Sequence, residues 1–160
     1  MNKYLEKTAQ SLPYRLRSEV LIHKDGKVLI TVNGEGDNVW HGLPGGGVEE
    51  GQSPADAARQ EALEEVGIAV KNIRDSGESS VKEGYLARKG LEERQLMYRG
   101  SKTHLFEADF DKEDKTILGT EGDRAKYKWM TPTEAHALIK PHSDRTGNST
   151  HQVRALQNYL

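Results

Sequence analysis

The apolar positions of this chain change period along its length, and each change marks an element. Tyr14 to His23 (YRLRSEVLIH) places Leu16, Val20, Leu21 and Ile22 in an extended pattern, and Val28 to Val32 is a second apolar run. Lys24-Asp25-Gly26-Lys27 between them carries the Asp-Gly pair that a tight turn favours. The pattern predicts a β-hairpin. Asn33 to His41 reads as a polar loop with Trp40 near its end. Ile68 to Ile73, Thr103 to Phe110 and Ala125 to Met130 read as strands, the last with Tyr127 and Trp129 on one face. Thr131-Pro132-Thr133-Glu134 is a capped helix start, with the helix running to about Ile139. Pro141 to Asn148 reads as a loop and Ser149 to Tyr159 as a final helix. Residues 1–12 read as a short arm. Strands separated by helices predict an α/β fold with a mixed sheet between helices, in one domain over residues 1–160.

Residues 74–102 fit no period. Their length exceeds an ordinary connector, so they are expected to form an insertion, a substrate arm or a dimer arm. From Lys82 to Lys102 this stretch holds six basic and three acidic residues, Arg99 among them. A solvated excursion has the same composition, but a positive arm beside an anionic substrate is an equal reading.

The densest pattern is LPGGGVEEGQSPADAARQEALEEVGI, from Leu43 to Ile68. Ser53, Pro54 and Asp56 mark a helix start, and Gly67 suits a left-handed stop. Ala55, Ala58, Ala62, Leu63 and Val66 form its apolar side. Glu61, Glu64 and Glu65, spaced i, i+3 and i+4, share the other face within roughly 100° of arc. A glutamate-rich helix face is usually a solvated surface, and a glycine run is usually a loop. Together at this spacing they point to a cation, since stacked carboxylates repel one another. Oxygen-only ligands suit magnesium, or manganese, rather than zinc.

This stretch resembles the Nudix box, G-x5-E-x7-R-E-U-x-E-E-x-G-U, with U aliphatic. Gly46 opens it, and Glu61, Glu64, Glu65, Gly67 and Ile68 match its end. Two positions depart: Gln52 replaces the first glutamate and Gln60 the arginine. The family commonly holds an ion pair there, and here two amides are expected to hydrogen-bond instead. The resemblance implies an α/β/α sandwich and magnesium-dependent hydrolysis of a phosphoric anhydride. It implies metal ligands at Glu61, Glu64, Glu65 and the Gly45 carbonyl. The base is either Glu65 or Glu121, which resembles a late-loop glutamate of some members. As a turn acid, Glu121 has an equally ordinary explanation. Arg15 and Arg17 are candidate phosphate contacts and Tyr85 a candidate base-stacking residue, with Arg99 a further substrate contact.

Composition narrows the class. Charged residues are 30% and apolar ones 34%, the net charge is −2, and there is no cysteine. Bulk binding of duplex nucleic acid, a disulfide framework and a spanning helix are not expected, and a cytoplasmic location is. Family isomerases that use a catalytic cysteine do not fit. The leading expectation is a nucleoside diphosphate linked to another group, ADP-ribose-like or a dinucleoside polyphosphate, as substrate, with a homodimer possible. A house-cleaning nucleoside triphosphate pyrophosphohydrolase and a non-catalytic nucleotide sensor are the alternatives.

Overall fold

The computed structural model describes residues 11–84, 97–120 and 124–160. Among them seven strands form one mixed sheet: β1 (Tyr14–Lys24), β2 (Lys27–Asn33), β3 (Trp40–Gly42), β4 (Gly45–Gly47), β5 (Ile68–Glu83), β6 (Gly100–Glu113) and β7 (Lys126–Met130). Helix α1 (Pro54–Glu61) runs into a π-helical turn, Ala62–Val66. Helices α2 (Pro132–Thr146) and α3 (Thr150–Gln157) follow β7. No helix among the described residues is long and apolar enough to cross a membrane.

The expected hairpin is present, with φ of 51° at Asp25 and 76° at Gly26, positive at both central positions as a type I′ turn requires. Its strands pair only at the tip, His23 with Val28 and Lys24 with Lys27. Further along they take other partners. β1 pairs with β4 at Arg17–Glu19, and β2 pairs with β3 at Thr31–Asn33. β1 also runs parallel to β6, and β2 antiparallel to β7. The segment read as loops around Trp40 and the glycines is therefore two short strands.

Both faces of the sheet are covered, which is why β1 and β2 carry unbroken apolar runs. Leu21, Val28 and Ile30 meet Ala135 and Ile139 of α2 and Val153 and Leu156 of α3. Val20, Ile22 and Leu29 turn the other way, to Ala58, Ala62 and Val66. Burial is worth about 1.5–3 kcal/mol for each large apolar side chain. The result is the expected α/β/α sandwich.

Two boundaries differ from expectation. Helix α2 continues through Pro141 to Thr146. Proline costs a helix interior about 3 kcal/mol, but Ala135, Ile139 and Ser143 recur every fourth residue and are all buried, so packing holds the helix across it. Strand β5 does not stop at Ile73. It pairs with β6 as far as Glu83 opposite Gly100, with register shifts at Ala69/Val70, Lys71/Arg74 and Asp75/Glu78. Each bulge breaks the alternation, which hides the strand from a period-2 reading.

Gly67 ends the π-helical turn at φ 65°, and its N–H reaches the carbonyls of Ala62 and Leu63. Gly67→Ala is expected to cost about 1–2 kcal/mol, because a Cβ is penalised in the left-handed region. Urea unfolding should show a lower midpoint with an unchanged m-value.

Candidate active site

Helix α1 starts where its sequence says. The Ser53 side chain accepts the Asp56 N–H at 3.1 Å, and Pro54 occupies the first turn. The wide turn at Ala62–Val66 then alters the regular helical spacing of Glu64 and Glu65 relative to Glu61. Their backbone carbonyls are taken up by a later segment: Gly119 N–H donates to Glu64 at 2.8 Å and Ala125 N–H to Glu65 at 3.0 Å.

The three glycines of β4 are a strand with bare Cα atoms. A Cβ at Gly45 would come within 3.0 Å of Glu19 Cγ and of the Ser18 carbonyl. At Gly46 it would come equally close to the Glu61 carboxylate, and at Gly47 to the Arg15 guanidinium. Each missing side chain thus makes room for a neighbouring group, and a charged side chain stands at all three. Strand alternation sends Gly45 and Gly47 to one face and Gly46 to the other.

The carboxylates are held in different ways. Glu65 Oε2 accepts the Gly45 N–H at 2.8 Å. Burial pushes its carboxyl up to about 7, with Glu61 and Glu19 adding to the rise and the Gly45 N–H and Arg17 opposing it. Burial also raises Glu61, with Glu64 adding to the rise while Arg17 and Arg15 oppose it.

Glu64 closes a hydrogen-bonded chain. Glu49 N–H donates to Gln52 Oε1 at 2.9 Å, Gln52 Nε2 to Gln60 Oε1 at 2.9 Å, and Gln60 Nε2 to Glu64 Oε1 at 2.7 Å. The expected Gln52–Gln60 pair is therefore present. Its polarity is forced, because a backbone N–H only donates and a carboxylate only accepts.

A cleft of about 630 Å³ is lined by Arg17, Glu19, Gly45 and Glu65, with Thr31, Asn33, Trp40 and Gly42 also on its wall. Arg17 Nε is buried with no hydrogen-bond partner among the described residues. Arg15 lies against Gly47 and does not line the cleft. Arg99 pairs with Glu83 at 3.2 Å and stacks over Tyr14 at 4.8 Å, so it contacts a lining residue without lining the cleft itself. Tyr85 and Glu121 lie outside the described residues.

Sequence reasoning missed Glu19, His151 and Gln152. His151 Nε2 lies 2.5 Å from Glu19 Oε1, and Gln152 Nε2 donates to the same carboxylate at 3.2 Å. This contact spans more than 130 residues, and no local pattern announces it. Trp40, at the end of a polar loop in the sequence pattern, stands on β3 and lines the cleft.

The donor set fits a hard cation. Burial raises both Glu61 and Glu65 beside a glycine strand, with Glu64 adding to the rise of Glu61 and Glu61 to that of Glu65, and a cation would offset that repulsion. Among the described residues, however, no three His, Cys, Asp or Glu side chains are gathered as a ready cage. Glu64 faces Gln60 and Glu65 faces Gly45, so cation binding would compete with these hydrogen bonds.

The raised Glu65 carboxyl makes a signed prediction. Between its ordinary 4.5 and about 7 the folded chain holds a proton that the unfolded chain has lost. Stability must therefore fall as pH rises through that window. Thermal unfolding without divalent cations should show Tm dropping from about pH 5 to about pH 8, and Glu65→Gln should flatten the drop.

The NUDIX domain profile matches residues 14–153. An RNA pyrophosphohydrolase of Bartonella clarridgeiae is 40% identical over 77 residues, covering 42% of this chain and 44% of that protein, so the match spans under half of that relative. Among solved structures, a NUDIX hydrolase from Nitrosomonas europaea superposes with a TM-score of 0.62 at 17% identity, covering 91% of this chain and 87% of that one. An ADP compounds hydrolase gives a TM-score of 0.62 at 17% identity, covering 92% of this chain and 71% of that one. The profile spans both layers of the sandwich and the whole glycine–carboxylate site, and the chain belongs to the Nudix hydrolase family.

Proposed function

We propose that this chain hydrolyses the diphosphate linkage of a nucleoside diphosphate joined to another group, with magnesium, or manganese, as cofactor. One observation carries the reading: Glu65 and Gly45 share a cleft wall with Arg17, beside Glu61. One relative is named an RNA pyrophosphohydrolase and one structural neighbour an ADP compounds hydrolase, and both names fit hydrolysis of a phosphoric anhydride. ADP-ribose-like compounds and dinucleoside polyphosphates remain the substrates to test first. A cytoplasmic enzyme acting as a monomer or homodimer fits the same reading.

Glu61, Glu64, Glu65 and the Gly45 carbonyl would hold the cation, which when bound would offset the diphosphate charge and acidify a water. The chain's own groups do the rest. Arg17 attracts the phosphate oxygens through charge-assisted hydrogen bonds, and Arg15, beside Gly47 and outside the cleft wall, adds positive charge to the approach. Glu65 takes the proton from the attacking water. In that role Glu65 would hold the cation through one carboxylate oxygen and take the proton on the other. The water oxygen bonds to phosphorus as the P–O–P bond breaks, and the leaving phosphate carries away the electron pair.

Glu121 is the second candidate base. Its flanks Gly119 and Ala125 hydrogen-bond the carbonyls of Glu64 and Glu65, which supports a role for this segment beside the carboxylates. Residues 74–102, with Tyr85 and Arg99, are proposed to contact the part of the substrate beyond the diphosphate.

Glu64→Gln and Glu65→Gln are each expected to lose about 10²–10⁴ in turnover while staying folded by circular dichroism. Unchanged magnesium-dependent release of nucleoside monophosphate in both would sink the site. Glu121→Gln should lower kcat far more than it raises KM if this residue is the base. Wild-type kcat in that variant would leave the role to Glu65.

A further inference from the structure

The cleft continues past the carboxylates to a small site of different chemistry. Trp40, on β3, is 50% exposed although it lines the cleft. Register pairs Trp40 with Asn33 and Gly42 with Thr31. The side chains of all three neighbours converge on the bare Cα of Gly42. A Cβ there would lie 3.4 Å from the Trp40 ring, 3.5 Å from Thr31 Oγ1 and 3.9 Å from Asn33 Nδ2. Asn33 Nδ2 donates to Thr31 Oγ1 at 3.1 Å. That bond uses one amide hydrogen and leaves a second hydrogen and Oδ1 to meet a ligand.

Among the described residues the three groups nearest that point are an exposed indole, a fixed amide and a hydroxyl, none of them charged, and together they suit one ligand chemistry best. A flat heteroaromatic ring stacks on the indole, and a donor–acceptor edge pairs with the amide. A phosphate would gain nothing from the indole, and a sugar ring, which can lie on it by its C–H face, would not offer the amide a flat donor–acceptor edge. An ordinary rim tryptophan would not need a hydrogen-bonded amide and a side-chain-free floor under its edge.

We propose that Trp40, Asn33 and Thr31 over Gly42 form the nucleobase subsite of this enzyme, with the base stacked on Trp40 and its edge read by Asn33. The proposal rests on the hydrolase reading for its substrate, and it adds where the base goes. It puts base recognition on the β2–β3 pair and leaves the 74–102 stretch to the group on the other side of the diphosphate.

Binding and turnover test it separately. The chain holds two tryptophans, and Trp129 is partly buried, packed beside Tyr127 and Phe110 against the cluster on the α1 side of the sheet. In magnesium-free buffer, adenosine or guanosine monophosphate should quench the fluorescence of the wild type, and ribose 5-phosphate should not. Trp40→Ala should abolish the quench. Asn33→Ala should weaken nucleoside monophosphate binding at least about threefold and leave ribose 5-phosphate unaffected. In turnover, Trp40→Ala should raise KM for ADP-ribose about tenfold or more with kcat within about twofold, as stacking losses predict. Its kcat/KM for phosphoribosyl diphosphate, which has no base, should match wild type. Quenching by ribose 5-phosphate equal to that by the nucleotides, or an unchanged KM for ADP-ribose in Trp40→Ala, overturns the subsite. A wild type that binds and quenches with nucleotides but releases no product from any of them refutes the hydrolase reading and leaves the subsite standing.

Discussion

The site depends on one backbone contact, the pairing of β4 with β1 at Arg17–Glu19. That ladder needs two strands close together where Arg15, Glu19 and Glu61 also converge. Three consecutive glycines resolve the conflict, because each Cα without a side chain yields its space to one of these groups. The usual weakness of glycine in a strand, its lost entropy, is accepted where backbone must be approached closely. The same ladder brings the Gly45 N–H to Glu65 and so fixes the end of the helix against the sheet.

Charge is managed around that contact rather than at one point. Arg15 and Arg17 lean on the carboxylates from β1, while burial and mutual repulsion work against them. Where other family members carry a charged pair, Gln52 and Gln60 carry a neutral chain of donors to Glu64. A neutral amide orients Glu64 without cancelling its charge, so the carboxylate keeps its full attraction for a cation. On the far side, Glu19 is steadied by His151 and Gln152 of α3. Both helical layers therefore reach the same few residues of β1 and β4.

The local chemistry of the chain was legible where it rests on short-range rules. Asp25-Gly26 made the turn, Ser53 and Pro54 started α1, Gly67 stopped its extension, and Thr131 with Glu134 closed a capping box on α2. Strands separated by helices forecast a mixed sheet between helices. The Gln52–Gln60 pair could be foreseen from the resemblance, because the family commonly holds an ion pair at these two positions and the chain just before the helix can fold back.

What only tertiary structure decided is what depends on contacts far apart in sequence. Pro141 looks like a helix end until burial of Ile139 and Ser143 holds the helix through it. The bulged second half of β5 has no period of its own and is a strand only because β6 lies beside it. The glycine run reads as a loop until β1 pairs with it. Glu19 and His151 mean little apart, and Trp40 gains a role only when β3 sets it beside Asn33. Local patterns report the backbone preferences of neighbours, but a site made of residues from six strands and two helical layers is specified by packing, which no single window of sequence contains.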